Sequence, residues 1–106
     1  MNELVYMVVR QDHGHIKYGL YESIVLCGVY RTFAQAMSVV ATMAGKTSND
    51  LYIYDNKVYD RETGNLVRVP YMKDEFGTYD YTLLMIRVPY GTNPKAIYLG
   101  GALYIE

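Results

Sequence analysis

Thr32-Phe33-Ala34-Gln35-Ala36-Met37-Ser38-Val39-Val40-Ala41-Thr42-Met43-Ala44-Gly45 is the stretch that decides the fold. Thr-x-x-Gln at its start is a capping box, in which Thr32 and Gln35 each accept a hydrogen bond from the other residue's backbone N–H. A helix is predicted from Phe33 to Ala44. Gly45 supplies a left-handed stop, and Lys46 suits the negative end of the dipole. Phe33, Ala36, Met37, Val40, Met43 and Ala44 follow i, i+3, i+4 spacing and form the expected core-facing stripe. The opposite face, Ala34, Gln35, Ser38, Val39, Ala41 and Thr42, carries no charge. A solvated helix face ordinarily carries Lys or Glu. This face is therefore expected to be covered, either by another segment of the chain or by a second copy or partner.

Everything around the helix reads as strand. Leu4 to Val9 is short, apolar and β-branched, and predicts a largely buried strand. Gln11-Asp12-His13-Gly14-His15 has the composition of a turn. Glu22 to Tyr30 predicts a second strand, antiparallel to the first, with Gly19 marking a bend and Gly28 a bulge. After the helix, Leu51–Tyr54 and Lys57–Tyr59 flank Asp55-Asn56, a tight hairpin signal. Val58–Asp60 and Leu66–Val69 flank a second turn, in which Gly64 supplies the positive φ. Tyr81 to Val88 is a strong strand, and Ala96 to Ile105 is the last, bent at Gly100-Gly101. The expected class is α+β: a mostly antiparallel sheet with a single helix packed on one face, in the order β-β-α-β-β-β-β-β. At 106 residues this is one domain, residues 1–106.

Composition narrows the function classes. The formal charge is −1, from ten Lys/Arg and eleven Asp/Glu, and the basic residues are scattered. Tight polyanion binding ordinarily shows a basic cluster, so nucleic acid is a less favoured partner. No apolar run is long enough to span a membrane. Met1-Asn2-Glu3 opens no signal-peptide pattern, and the expected location is cytoplasmic. The lone cysteine, Cys27, lies in an apolar run and reads as a small buried hydrophobe. Thirteen residues are tyrosine and none is tryptophan. Tyrosine favours strands and half-wet binding surfaces, having an apolar ring and a polar tip.

One tetrapeptide repeats. Arg68-Val69-Pro70-Tyr71 recurs as Arg87-Val88-Pro89-Tyr90, each copy ending an apolar strand. Proline cannot donate to a ladder, so both copies mark strand ends or edges. Either the two exits merely share local chemistry, or the two Arg–Tyr pairs form one patch; the patch requires Arg68 and Arg87 on one side of the sheet. Between the copies, Met72 to Tyr81 mixes acids with aromatics and reads either as a loop that inserts into a basic partner groove or as a solvated hairpin tip. His13 and His15 sit two apart beside Asp12, but no third histidine completes a metal set, so no metal or other cofactor is expected. Asp74, Glu75 and Asp80 are close in sequence without an inferable cleft. The glycines match neither a Walker loop nor a dinucleotide fingerprint. No enzyme is expected.

Gly28-Val29-Tyr30-Arg31-Thr32-Phe33-Ala34-Gln35-Ala36-Met37, with the strands before it, resembles the opening of small phage and mobile-element accessory proteins of unknown function. The likeness covers about the first 45 residues and transfers no functional residue. It implies a phage-borne protein acting in a bacterial host cytoplasm, where such proteins often bind and inhibit a host or defence factor. The reading is a non-enzymatic protein-binding module with an exposed Tyr/Arg surface, its site candidates being Arg68, Tyr71, Tyr79, Tyr81, Arg87 and Tyr90. A homodimer through the uncharged helix face or a sheet edge is a further expectation. The alternative function is single-stranded nucleic-acid or nucleotide binding by tyrosine stacking.

Overall fold

The computed structural model describes residues 3–17, 19–90, 98–99 and 102–103. Strands β1 (Leu4–Ile16) and β2 (Gly19–Tyr30) precede helix α1 (Phe33–Ala44). A 3-10 turn (Ser48–Asp50) leads into β3 (Leu51–Tyr54), β4 (Lys57–Asp60), β5 (Val69–Asp74) and β6 (Gly77–Pro89). β7 (Tyr98–Leu99) and β8 (Ala102–Leu103) pair with each other. The main sheet is antiparallel, in the order β2-β1-β6-β4-β3, with β5 on the β6 edge as well. The fold is α+β, with one helix against a mostly antiparallel sheet.

The helix forms as its caps dictate. Gln35 N donates to Thr32 Oγ1 (3.1 Å), Thr32 N donates to Gln35 Oε1 (3.3 Å), and Gly45 takes the left-handed conformation. Ala36, Met37, Val40 and Ala41 are buried against Val8, Leu51, Val58, Leu83 and Met85 of the sheet and Val67 beside it. Burying each Leu, Val or Met side chain of this kind is worth about 1.5–3 kcal/mol. The buried stripe is rotated from the expected one. Ala41 is inside, while Phe33 is exposed and meets Tyr6 edge-to-face at 5.8 Å. Ala34, Gln35, Ser38 and Thr42 are exposed, so the chain's described residues do not cover the uncharged face.

Two expectations need correction. Gln11 to His15 is not a turn but the second half of β1, paired to β2 on one side and β6 on the other. Two flanking ladders satisfy its backbone, Asp12 is held by Arg10 and Ser23, and His13 lies against Thr82. Leu66–Val69 is no full strand: Leu66 makes a single bridge to Tyr59, and β5 starts at Val69 and runs through Pro70. The first Arg-Val-Pro-Tyr copy therefore opens a strand, whereas the second closes β6. Pro70 is tolerated because, among the described residues, β5 pairs on one side only. Met72 to Tyr81 forms a hairpin, one of the two readings its sequence allowed. Asp74 Oδ1 accepts from Phe76 N (2.9 Å) and Gly77 N (3.1 Å) at its turn. The expected last strand, Ala96 to Ile105, contains two short paired strands; its Gly100-Gly101 bend lies outside the described residues.

Other local signals hold. Asp55 and Asn56 both take positive φ (50° and 66°) at the β3–β4 turn, as a primed hairpin turn demands. Gly28 borders a bulge: the register of β1 and β2 shifts between Val8, opposite Gly28, and Val9, opposite Leu26. Gly19 is the first residue of β2, opposite Ile16. Among the described residues no helix is long and apolar enough to cross a membrane.

Candidate functional site: a tyrosine cluster around Arg10

β1 and β6 are 13 residues each and pair along their whole length. Alternation gives the sheet two faces. Tyr6, Val8, Arg10 and Asp12 of β1 share the helix side with Arg87, Met85, Leu83 and Tyr81 of β6, their direct cross-strand partners. Met7, Val9, Leu84 and Ile86 lie on the other side. The helix ends above Tyr81, whose hydroxyl donates to Met43 O at 2.8 Å. Beyond that point the helix side carries a cation packed among aromatic rings.

Arg10 is its centre. Its guanidinium lies 4.8 Å from the Tyr71 ring centroid and 4.7 Å from that of Tyr81. It grips Asp12 with two hydrogen bonds, Nε to Oδ1 and Nη2 to Oδ2, the latter 3.1 Å. Asp12 is buried on β1 opposite Tyr81 and Ser23, and Ser23 Oγ donates to its Oδ2 at 3.4 Å. Tyr71 lies 6.2 Å from Tyr79 and 5.8 Å from Tyr81, ring centre to ring centre. A bulge in β5 makes this possible. Its register shifts between Pro70 and Met72, so Tyr71 reaches these rings while Met72 directly opposes Tyr79. Tyr71 and Met72 are 39% and 47% exposed, and Phe76 at the hairpin tip is 52% exposed.

The electrostatics are those of a closed pair. The hydrogen bond to Asp12 holds the Arg10 proton even more firmly than usual, against the opposing effect of burial. Burial pushes the Tyr81 phenol above its ordinary value, with Arg10 pulling the other way. Burial likewise raises the Cys27 thiol, which packs against the main core, and outweighs the Arg10 charge and backbone that pull it down. The Arg10 charge is matched by Asp12, so the cluster offers rings and edges rather than a bare cation. Cation–π contacts of this type contribute about 0.5–2 kcal/mol each, and paired rings about 0.5–1.5 kcal/mol.

The remaining candidates lie elsewhere. Arg68 Nη1 donates to Asp80 Oδ1 (3.4 Å). Asp80 shares the face away from the helix with Thr82, whose hydroxyl is 3.3 Å from His13 Nε2. Arg87 is on the helix side, so Arg68 and Arg87 occupy opposite faces and do not form one patch. Six residues along β6 also separate Arg87 from Tyr81, roughly 20 Å at strand spacing. Tyr90 follows β6, its N–H bonded to Glu3 O. Arg87 instead lines a shallow concavity of about 350 Å³ with Tyr6, Phe33, Ile53 and Asn56. This adjoins a groove of about 440 Å³ between α1 and β3, lined by Phe33, Met37, Tyr52 and Arg61. His13 also lies 3.8 Å from Glu22, and among the described residues no three His, Cys, Asp or Glu side chains are placed to share a metal ion.

Tyr71, Tyr79 and Tyr81 thus converge, while Arg68, Arg87 and Tyr90 do not join them. Arg10, Asp12 and Met72 were missed. Arg10 and Asp12 sit two apart, the spacing that puts both on one strand face, but that signal is readable only if β1 continues past Val9. No protein-family model matches the chain, and comparison with curated proteins and with solved structures gave no match.

Proposed function

We propose that this chain is a small non-enzymatic protein-binding module, and that its contact surface is the Tyr71–Met72–Tyr79 face of the β5–β6 hairpin. The observation that carries the reading is the lock on Arg10: a guanidinium fixed by Asp12 holds Tyr71 and Tyr81 in place beside exposed Met72. Rings immobilised before binding lose little entropy in the complex. Tyr and Arg are also the residue types that dominate interface energetics. Nucleic-acid binding is less well supported, because Asp12 neutralises the one cation within the rings and Asp80 engages Arg68. The N-terminal resemblance to phage accessory proteins directs the search to a bacterial host protein, and inhibition of that protein is the mode of action we propose.

The test is a pull-down of the tagged full chain from bacterial lysate, with and without nuclease. A nuclease-resistant protein partner is expected. Tyr71→Ala and Met72→Ala should each weaken its capture about ten- to a hundred-fold, while Tyr54→Ala, a more exposed tyrosine on another hairpin, should not. Unchanged capture by both hairpin variants would show the surface to be wrongly chosen, and capture that vanishes with nuclease would favour nucleic acid.

A further inference from the structure

The sheet has three open edges among the described residues, and they are not alike. β3 is four residues long. β5 carries Pro70, a bulge at Tyr71, and Lys73, which are devices that discourage another strand from adding. β2 runs for 12 residues with no proline, no Lys or Arg and a single charge, Glu22. Among the described residues it pairs with β1 alone. Val25 and Val29 are 46% and 50% exposed, one on each face of this edge strand.

We propose that β2 pairs with β2 of a second copy, antiparallel about a two-fold axis, to make one continuous sheet. The bulge fixes the phase. Val25 opposes Arg10 and Tyr30 opposes Tyr6, so residues before and after Cys27 reach the helix side at positions of opposite parity. In an antiparallel pair, facing residues must share a face. Where residues before Cys27 meet residues after it, Val25 must therefore face Gly28 or Tyr30 of the other copy, and Ile24 must face Val29 or a residue two further along.

Charge selects among these registers. With Val25 opposite Gly28, Ile24 faces Val29, Ser23 faces Tyr30 and Glu22 faces Arg31, and the two-fold axis repeats each pair. Glu22 and Arg31 are mostly exposed, Glu22 lying 3.8 Å from the His13 ring and Arg31 3.7 Å from the Glu3 carboxylate. A shift of two residues one way puts Glu22 against Val29; the other way puts Arg31 against Ile24. The chosen register also covers both exposed valines. Val29 meets Ile24, and Val25 meets the Tyr30 ring, which lies so close over Gly28 that a Cβ there would be 2.4 Å from its hydroxyl. This inference does not rest on the hairpin surface proposed above.

Sedimentation of the full chain over a micromolar-to-millimolar series tests it. A species of twice 12.2 kDa is expected to accumulate with concentration. Glu22→Arg and Arg31→Glu should each raise the dissociation constant about tenfold or more, since each turns two symmetry-related attractions into repulsions. The double exchange should restore it to within about threefold. Val29→Lys, which leaves both charges in place, should also dissociate the dimer, and far-UV circular dichroism should show every variant folded like the parent. A monomer at all concentrations would overturn the proposal. So would a dimer indifferent to Val29→Lys, and failure of the double exchange to rescue would overturn the register.

Discussion

Replacing Tyr81 by phenylalanine removes one oxygen and leaves the ring. That oxygen joins the helix to the sheet. The last carbonyls of a helix lack partners within it. In α1, Gly45 N and Lys46 N serve Thr42 O and Ala41 O, and the Tyr81 hydroxyl serves Met43 O at 2.8 Å. Tyr81 is 8% exposed, so water does not readily replace the phenol. The expected loss is about 1–2 kcal/mol, one hydrogen bond plus part of the cost of an unserved carbonyl. For a domain of this size that is a fall in Tm of roughly 5–12 °C. Urea unfolding followed by circular dichroism measures it, and the pH dependence sharpens it. Burial holds the folded phenol above its ordinary value. The contribution is therefore complete below the unfolded tyrosine value of about 10 and is lost as pH rises through the folded value, where the unfolded chain binds fewer protons. The gap between parent and variant should narrow above about pH 10, since phenylalanine does not titrate and the other tyrosines cancel in the difference. A variant as stable as the parent at neutral pH, or a gap that stays constant to high pH, would refute the reasoning.

Asp12→Asn should destabilise the fold by about 1–3 kcal/mol in the same urea assay, because it leaves the Arg10 guanidinium without its carboxylate; the cost stays below that of a fully buried pair because Arg10 is 31% exposed. Gly77→Ala should cost about 2–3 kcal/mol or more, since a Cβ there would lie 2.0 Å from His15 O and force β6 away from β1. Hydrogen exchange should rise first at the hairpin tip in that variant, with the helix unchanged. Thr32→Ala should lose about 0.5–2 kcal/mol by opening the capping box, measured by thermal melting.

The parts of the fold that were legible are those written in local chemistry. Thr32, Gln35 and Gly45 define both helix ends, and Asp55-Asn56 defines a turn, because each satisfies or strains the backbone within a few residues. Gln11 to His15 misled for the opposite reason. Its composition is that of a turn, but its conformation is set by Ser23 and Glu22 on one side and Thr82 and Asp80 on the other, all distant in sequence. Pro70 misled likewise: it signals an edge, yet nothing local tells whether the strand is ending or beginning. The site was half legible. Tyr71, Tyr79 and Tyr81 stood out by type and crowding, whereas Arg10 was hidden in a segment read as leaving the sheet. Arg68 and Arg87 share a tetrapeptide, but β5 and β6 run antiparallel and the tetrapeptide opens one and closes the other.

The placement of the Arg10 cluster follows from how the sheet divides its work. The first half of β1 and the last half of β6 bury Val8, Leu83 and Met85 under α1, and Met7, Val9 and Ile86 on the other face. The second half of β1 has almost no apolar side chain to bury: Arg10, Gln11, Asp12, His13 and His15 take those positions. A strand pair without a hydrophobic face is marginal in water, so this half needs another source of rigidity. The Arg10–Asp12 pair packed between Tyr71 and Tyr81 supplies it, and Lys17 N bonded to Phe76 O ties the two turns together at the tip. Stability and surface are then one set of contacts, and they can be separated by variants. Tyr81→Phe keeps the ring under Arg10 and should spare partner capture while lowering stability. Tyr71→Ala removes an exposed ring at the rim of the cluster and should abolish most capture with only a modest fall in stability. If both variants lost stability and capture in proportion, the tyrosines would be serving the sheet alone.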